Sequence, residues 1–328
     1  MASFLSGHFI EEIPVFPLIG FHSAKIFGID FIKAVNNSEI MASLQQKATE
    51  YYDIDGIVPI MDLSVEPEAL GAKVRYVEGI PAVEEFLPIE GWKNLENKLG
   101  EYLSLGRIPV FLNSVKLMSL RVRDRMICAY VSGPLTLASE IFGPKEVALL
   151  SLKNPSLYNR ILNLASKFSS ELARAFVEMG AECIIILEPI GALISQKTFR
   201  SSLLNNLNIV IDEIRKSKAW SILHICGDAR KVFSEMTVTN ANALSIDKYI
   251  RISEALKIAG NKALMGNIGT SEILLSKPEE IRKYTLNMLR ESEGKIIVST
   301  GCEVPPATPQ ENLREMIKAV RDFSKNLY

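Results

Sequence analysis

The fold is decided by residues 220–228, which read WSILHICGD. The stretch begins with a short apolar run and then presents His224 and Cys226, after which Gly227 and Asp228 signal a turn. Short apolar runs bounded by turn residues are typical of buried parallel strands. The stretch therefore predicts a strand whose carboxyl end carries polar side chains to the edge of a sheet.

The same pattern recurs along the chain, with apolar or β-branched runs separated by longer amphipathic stretches. The eight predicted strands are Ile13–Ile19, Gly56–Met61, Arg125–Val131, Glu182–Leu187, Trp220–His224, Ala241–Ile246, Ala263–Asn267 and Lys295–Ser299. Predicted helices between them include Ser38–Tyr52, Pro155–Met179, Phe199–Ser217, Tyr249–Ala259 and Pro278–Glu291. Eight alternations predict an α/β fold, namely a closed (β/α)8 TIM barrel.

Two segments lie outside the alternation. The first residues precede strand one and are predicted as an N-terminal extension. Lys73–Gly106 is predicted as an insertion after strand two, because Val77–Ile89 contains two prolines and no clear apolar period. A chain of 328 residues without repeats or linkers fits one barrel with additions. We therefore expect a single domain over residues 1–328.

The amino-acid composition limits the classes of partner that the protein is expected to bind. Lys plus Arg number 37 and Asp plus Glu number 38, so no net field favours nucleic acid or an anionic membrane. No apolar run approaches the roughly 20 residues of a membrane helix, and the N-terminus lacks the pattern of a signal peptide. Four cysteines are too few for a disulfide framework in a chain of this size. We expect a cytoplasmic protein with a small-molecule or protein partner.

Active sites of such barrels lie at the carboxyl ends of the strands. Polar residues follow almost every predicted strand there: Asp62, Glu66, Ser132, Gly133, Glu188, His224, Cys226, Asp247, Asn267, Cys302 and Glu303. Cys128 and Cys183 instead fall inside strand runs and are expected to be core residues. His8 and His22 are expected to be exposed or to form hydrogen bonds.

His224, Cys226 and Cys302 form the candidate metal site. The spacing of His224 and Cys226 places both on one face of a continuing strand, and Cys302 follows the eighth strand toward the same mouth. One His and two Cys are a catalytic zinc set that leaves one position open. A thiol bound there would be held as the nucleophilic thiolate. The alternative is that these are ordinary buried cysteines and a hydrogen-bonded histidine.

Five motifs resemble the uroporphyrinogen decarboxylase superfamily, especially its methylcobamide:coenzyme M methyltransferase branch. They are MDLSVEPEALG (residues 61–71), SGPLTLA (132–138), HICG (224–227), GNI (266–268) and GCEVPPATP (301–309). The resemblance implies an enzyme in which His224, Cys226 and Cys302 hold zinc, and an acceptor thiol attacks the methyl group of methyl-Co(III). It further implies a methylcobamide donor carried on a small separate corrinoid protein and an acceptor such as coenzyme M.

Six further residues are expected to complete the site. Glu188, Asp247 and Asn267 are predicted as catalytic residues, since an acid at a strand end can ligate zinc or hydrogen-bond a ligand. Asp62, Ser132 and Gly133 are predicted to bind the cofactor. Glu188-Pro189 stands where the family often has Asp-Pro, which moves the carboxylate by one methylene.

Two alternative functions remain. A decarboxylase of the superfamily binds its carboxylate-rich substrate through an arginine-rich stretch after strand one, but residues 18–24, LIGFHSA, contain no arginine. A non-catalytic corrinoid-protein binding module is the other alternative. Such a module would have lost catalytic turnover, but the sequence retains one His and two Cys at the expected ligand positions, which argues against this alternative.

Overall fold

A computed structural model describes residues 1–7 and 12–325. Its strands are β1 (Gly56–Ile57), β2 (Lys73–Val77), β3 (Ile80–Glu85), β4 (Met126–Ser132), β5 (Cys183–Leu187), β6 (Trp220–Ile225), β7 (Ala243–Ile246), β8 (Ala263–Ile268) and β9 (Ile297–Thr300). Seven of them form one curled parallel sheet in the order β1-β4-β5-β6-β7-β8-β9, while β2 and β3 form an antiparallel hairpin. The expected α/β architecture is confirmed at this level.

Helices follow the strands and cover the sheet. They are α1 (Ala2–Leu5), α2 (Phe21–Ile26), α3 (Phe31–Asn36), α4 (Ser38–Tyr52), α5 (Val65–Leu70), α6 (Trp92–Glu96), α7 (Ile108–Arg121), α8 (Pro134–Phe142), α9 (Pro144–Lys153), α10 (Pro155–Glu178), α11 (Gln196–Thr198), α12 (Leu204–Lys216), α13 (Phe233–Thr237), α14 (Ile252–Ile258), α15 (Thr270–Leu275), α16 (Pro278–Ser292) and α17 (Gln310–Lys325). In the described part of the chain, none of these is both long and apolar enough to cross a membrane.

Alternation along the strands divides the core into two clusters. In β5 every residue is buried, and Ile184 and Ile186 belong to the large cluster that includes the surrounding helices. Cys183, Ile185 and Leu187 belong to a second cluster shared with the other strands. Both faces of a parallel sheet are thus covered, which explains why its strands read as continuous apolar runs.

The predicted first strand, Ile13–Ile19, is reduced to a single bridge between Val15 and Val298. Pro14 and Pro17 lack backbone N–H groups, so this segment cannot sustain a continuous ladder. It nevertheless bonds to both edges of the sheet. The Phe16 amide donates to the carbonyl of Val298 at 2.7 Å, and the Asp55 amide beside β1 donates to the carbonyl of Val15 at 3.0 Å.

Other predicted boundaries shift for local reasons. Only Gly56–Ile57 of the predicted second strand pairs, and the predicted insertion contains the β2–β3 hairpin and α6. The helix predicted from Phe199 begins with a π-helical turn, Phe199–Leu203, before α12. The helix predicted from Tyr249 begins at Ile252.

Candidate metal centre at the carboxyl ends of the strands

His224 lies near the end of β6 and is 1% exposed. Its Nδ1 is 2.8 Å from the Oγ of Ser245, which lies opposite it on β7. Its Nε2 is buried and has no hydrogen-bond partner among the described residues. A buried ring nitrogen without a partner is costly in a folded protein, so this atom is available to bind a ligand.

Cys226 and Cys302 complete the cluster. The ligand atoms of His224, Cys226 and Cys302 all lie within 4.8 Å of one another, and both thiols are half-buried. Hydrogen bonding from the Cys302 thiol lowers the pKa of Cys226, and the same bond, together with burial, raises the pKa of Cys302. The pair therefore holds one thiolate more readily than two isolated thiols would.

These donors fit a zinc ion. Donor atoms of a tetrahedral site with two sulfurs and one imidazole nitrogen lie about 3.5–3.8 Å apart. Atoms already within 4.8 Å need only side-chain adjustment to reach that separation. The Nε2 of His224 has no hydrogen-bond partner among the described residues, so it is free to bind a metal, and a lowered pKa of Cys226 favours the thiolate that a metal binds.

Asp247, predicted as catalytic, follows β7 and contacts the loops that carry Cys226 and Cys302. Its Oδ2 accepts the Gly227 amide at 2.8 Å, and its Oδ1 accepts the Lys248 amide at 2.7 Å. A Cβ added at Gly301 would lie 2.3 Å from Oδ1, so the loop before Cys302 packs directly on this carboxylate. The structure therefore places Asp247 in contact with both loops but outside the cluster of metal-ligand atoms.

Glu188, also predicted as catalytic, lies at the N-terminus of α8. It is fully buried and accepts hydrogen bonds from the amides of Leu135 and Thr136 and from the Thr136 hydroxyl. Burial raises the pKa of Glu188 to about 7, while these hydrogen bonds act in the opposite direction. Its carboxylate satisfies free amides of the first helical turn, which is a capping arrangement.

Asn267, the third predicted catalytic residue, is half-buried in β8. Its side-chain amide donates to the carbonyl of Ile250 at 2.7 Å and to that of Asp247 at 3.4 Å. Asn267 thus ties β8 to the loop after β7. The side chain also lines a cleft between that loop and α16.

The residues predicted to bind the cofactor lie around β1, β4 and β5. Asp62 forms a buried ion pair with Arg107 and accepts hydrogen bonds from Ser64. The Ser132 amide donates to Glu66 at 2.7 Å. Position 133 requires a glycine because the Glu188 side chain packs against its backbone, and an added Cβ would lie 2.4 Å from Glu188. Both Asp62 oxygens thus already have protein partners.

Several neighbours of the site were not predicted. Ser245 could have been found from its spacing, because it lies two residues before Asp247 on the same strand face. Arg107 lies directly after the predicted insertion, where no sequence signal marks it as a functional residue. Glu66 and Glu303 were noted only as polar strand-end residues, yet burial raises their pKa values to about 7 and about 8.

The other cysteines and histidines have structural surroundings. Cys128 and Cys183 are fully buried, as predicted, and they lie opposite each other in β4 and β5. His22 is buried, with Nε2 2.8 Å from the Tyr52 hydroxyl, which agrees with a hydrogen-bonding role. His8 lies outside the described residues.

The chain is similar over nearly its whole length to methyltransferases of Methanosarcina species. It is 28% identical to the methylcobamide:CoM methyltransferase MtaA of Methanosarcina barkeri, covering 97% of this chain and 96% of that protein. It is 25% identical to the methylcobamide:CoM methyltransferase MtbA of Methanosarcina acetivorans, covering 88% and 85%. A solved methyltransferase from Methanosarcina mazei superposes with a TM-score of 0.89 at 26% identity, covering 98% and 97%.

The resemblance predicted from the motifs, including its methyltransferase branch, is confirmed by these relatives, as is an enzyme of the methyltransferase type. The family model described as uroporphyrinogen decarboxylase (URO-D) matches residues 1–323. The chain therefore belongs to the uroporphyrinogen decarboxylase family.

Proposed function

We propose that this protein is a zinc-dependent methyltransferase that moves a methyl group from a methylated, protein-carried corrinoid to a thiol such as coenzyme M. The observation that carries the proposal is the buried Nε2 of His224, which has no partner among the described residues and lies beside two thiols. The likeness to two methylcobamide:CoM methyltransferases supports the donor and acceptor.

His224, Cys226 and Cys302 would hold the metal through Nε2 and two sulfurs. Zinc bound there would favour the thiolate form of the acceptor, which is the nucleophilic form at neutral pH. The Nδ1 of His224 lies 2.8 Å from the Oγ of Ser245, and this contact fixes the orientation of the ring. The Nε2 on the opposite side of the ring would then bind the metal. Three protein ligands leave the fourth position for the substrate thiol.

The proposed transfer balances without an oxidant. The thiolate sulfur would form a bond to the methyl carbon of the donor, and the methyl–cobalt bond would break with its electron pair left on cobalt, which would change from Co(III) to Co(I). The thiol's proton goes to solvent. The other candidate roles stay predictions: Glu188, Asp247 and Asn267 as catalytic residues, and Asp62, Ser132 and Gly133 as cofactor-binding residues.

A decarboxylase is less well supported by the residues that follow the Val15 bridge. The stretch 18–24 contains no arginine, and Phe21, His22 and Ala24 are buried there. A carboxylate-rich substrate would therefore meet no guanidinium from this segment.

We also propose that the whole chain is one (β/α)8 domain closed by the Val15 segment. The hydrogen bonds from this segment to β9 and to Asp55 support closure. Calorimetry should then show one unfolding transition. Two separate transitions would contradict the single domain.

The proposed function is tested with protein purified without chelator. We expect about one zinc per chain, with sulfur and nitrogen neighbours in X-ray absorption, and thiol-dependent loss of the methylcobalamin Co–C absorbance. A panel of thiols, with a no-thiol control, identifies the acceptor. Full activity in metal-free protein, or a zinc site with oxygen ligands alone, would contradict the proposal.

A further inference from the structure

We propose that the loops after β5, β6 and β7 are the docking surface for the protein that carries the corrinoid, and that this partner presents acidic groups around its cofactor. The docking surface comprises residues 188–200, 226–231 and 247–251, and none of its exposed side chains belongs to the candidate metal cluster. Its 24 residues are as many as one side of a standard protein interface contains, about 20–30. The inference rests on the proposed function, because it concerns the partner of the same site.

The position of the docking surface follows from the proposed reaction. The methyl carbon would have to reach a sulfur beside His224, Cys226 and Cys302, so the corrinoid would lie over the carboxyl ends of the strands. β6, which leads into Cys226, lies between β5 and β7 in the sheet. The loops after β5 and β7 therefore flank this part of the metal cluster, and a protein that held the corrinoid there would cover them.

Two large apolar side chains are exposed on the docking surface. Leu193 ends a short 3-10 helix, Pro189–Leu193, and is 80% exposed, while Tyr249 is 46% exposed. The first helix packs against a second 3-10 helix, Ala229–Lys231, so the loops after β5 and β6 form one surface. Beside Tyr249, a cleft of about 510 Å³ between the loop after β7 and α16 has room for side chains of a partner. Apolar and aromatic groups surrounded by charged ones are typical of a protein interface.

The exposed charges of the docking surface are nearly all positive. They are one anion, Asp228, and six cations, namely Lys197, Arg200, Arg230, Lys231, Lys248 and Arg251. The whole chain has a net charge of −1, so this excess is local. Residues 73–90, which include the β2–β3 hairpin, show the opposite balance, with two exposed cations and four exposed acids. A partner with acidic groups therefore complements the loops after β5, β6 and β7 and not the hairpin.

Half of these cations are available to a partner. Three already form ion pairs at 2.6–2.9 Å, namely Arg200 with Glu235, Arg230 with Asp228 and Lys248 with Glu272. In the described part of the chain Lys197 and Lys231 form no ion pair, and Arg251 lies 3.7 Å from Glu291. Exposed charges of this kind steer the encounter of two proteins and raise its rate at low salt.

Two variants test the apolar and the charged parts of the docking surface separately. Leu193→Asp places a charge at the exposed apolar position, and Lys197→Glu/Lys231→Glu reverses the two lysines that form no ion pair. All three side chains are exposed, so neither variant disturbs the core.

Matched controls lie at the opposite end of the sheet. The carboxyl ends of α7 and α14 precede β4 and β8, so they lie near the amino ends of those strands, away from the metal cluster. Leu120 in α7 is 57% exposed, and Lys116 and Lys257 are exposed in α7 and α14. Leu120→Asp and Lys116→Glu/Lys257→Glu therefore introduce the same changes outside the docking surface.

Methyl-transfer kinetics with two donors are the first measurement. The donors are free methylcobalamin, which needs no protein docking, and the methylated corrinoid-carrying protein that supports turnover by the wild type. With the protein donor, we expect kcat/KM to fall roughly 10- to 30-fold in Leu193→Asp and about tenfold in Lys197→Glu/Lys231→Glu. With free methylcobalamin, both variants should stay within about twofold of wild type, and the two control variants should do so with either donor.

The salt dependence of the same rates tests the charge of the partner. Between about 0.01 and 0.15 M salt the Debye length falls from about 30 to about 8 Å, so steering between exposed charges weakens. With the protein donor, kcat/KM of the wild type should therefore fall over this range. In Lys197→Glu/Lys231→Glu the fall should be smaller or reversed, because the reversed charges repel an acidic partner most strongly at low salt. A wild-type rate that rises with salt would contradict an acidic partner.

Failure of the docking surface and failure of the proposed function give different results. Wild type that transfers methyl from neither donor would contradict the proposed function itself. If wild type uses both donors but the docking-surface variants lose no more than the controls, the docking surface is overturned and the proposed function stands. Equal losses with both donors would also overturn it, because the loops would then act on the reaction and not on docking.

Discussion

Cys128 and Cys183 differ from Cys226 and Cys302 mainly in where they lie along the strands. The first pair lies within β4 and β5, fully buried among apolar side chains, and burial raises the pKa of Cys128. The second pair follows β6 and β9, half-buried beside an unpartnered imidazole nitrogen. The same residue type is therefore a core side chain in the middle of the strands and a proposed metal ligand beyond their carboxyl ends.

The middle of the strands and their carboxyl ends also differ in the contacts that side chains of neighbouring strands make. Between β4 and β9 the middle of the strands is filled by small or apolar groups such as Ile222, Ala243 and Ile297. At the carboxyl ends the corresponding positions are His224 and Ser245, which bond to each other. The strands supply packing below and polar contacts above, which is the division expected of a parallel α/β sheet.

The largest expected effect is at Cys302. We predict that Cys302→Ala loses zinc and methyl transfer while the protein stays folded, because the thiol belongs to a loop beyond β9 and not to the core. Two ligands cannot hold zinc as three do, so activity should fall by more than the roughly 100-fold expected for an orienting neighbour. Zinc content, turnover and circular dichroism are measured together.

Cys183→Ala is its matched control. The substitution deletes one buried sulfur, which should cost about 1 kcal/mol of unfolding free energy and leave zinc content unchanged. Loss of zinc in Cys183→Ala together with unfolding of Cys302→Ala would reverse the comparison and exchange the roles of the two pairs.

The next largest effect is expected in the apolar cluster within the strands, below the metal site. Ile185 is fully buried in β5 within the inner cluster. Ile185→Ala leaves a cavity and should lower the unfolding free energy by about 2–5 kcal/mol. Zinc affinity should stay within about twofold of wild type, measured by chelator competition below the unfolding transition. A strong fall in affinity would mean that the apolar cluster and the metal site are coupled and not separate.

A smaller effect is expected from the pH dependence of stability. Burial raises the pKa of Glu188 to about 7, above the value of about 4.3 in an unfolded chain. Protonation therefore favours the folded state, so the stability contribution is present below about pH 4.3 and is lost as the pH rises through 7. We predict lower stability at pH 8 than at pH 5, with Glu188 contributing about 2–3 kcal/mol of that difference.

Glu188→Gln tests this contribution. The variant should show a smaller change in urea midpoint between pH 5 and pH 8, whatever its absolute stability. Its own stability should be reduced at both values, since one amide at the start of α8 loses its acceptor. Glu279→Gln, at an exposed position, is the control. An unchanged slope in Glu188→Gln would show that Glu188 is ionised throughout the range.

The sequence predicts which polar side chains meet at the carboxyl ends of the strands better than it predicts the contacts between the loops that carry them. The close approach of His224, Cys226 and Cys302 could be predicted because strand ends converge and two-residue spacing keeps side chains on one face. The contact between Asp247 and Gly301 could not, since it joins loops whose separation depends on the curl of the sheet. The first predicted strand failed for a local reason, because its prolines interrupt the ladder.

The smallest effect is expected at Lys248, which follows Asp247 directly but points away from the metal cluster. Its Nζ donates to Ser271 at 2.6 Å and to Glu272 at 2.9 Å, and both side chains of the ion pair are about one-third exposed. Exposed pairs contribute about 0–1 kcal/mol, and Lys248→Ala keeps the backbone amide that Asp247 accepts. We therefore predict a change in unfolding free energy below about 1 kcal/mol and no change in zinc affinity. A tenfold weaker affinity in Lys248→Ala would show that the ion pair between Lys248 and Glu272 influences the metal site, and the exposed rim would then not be independent of it.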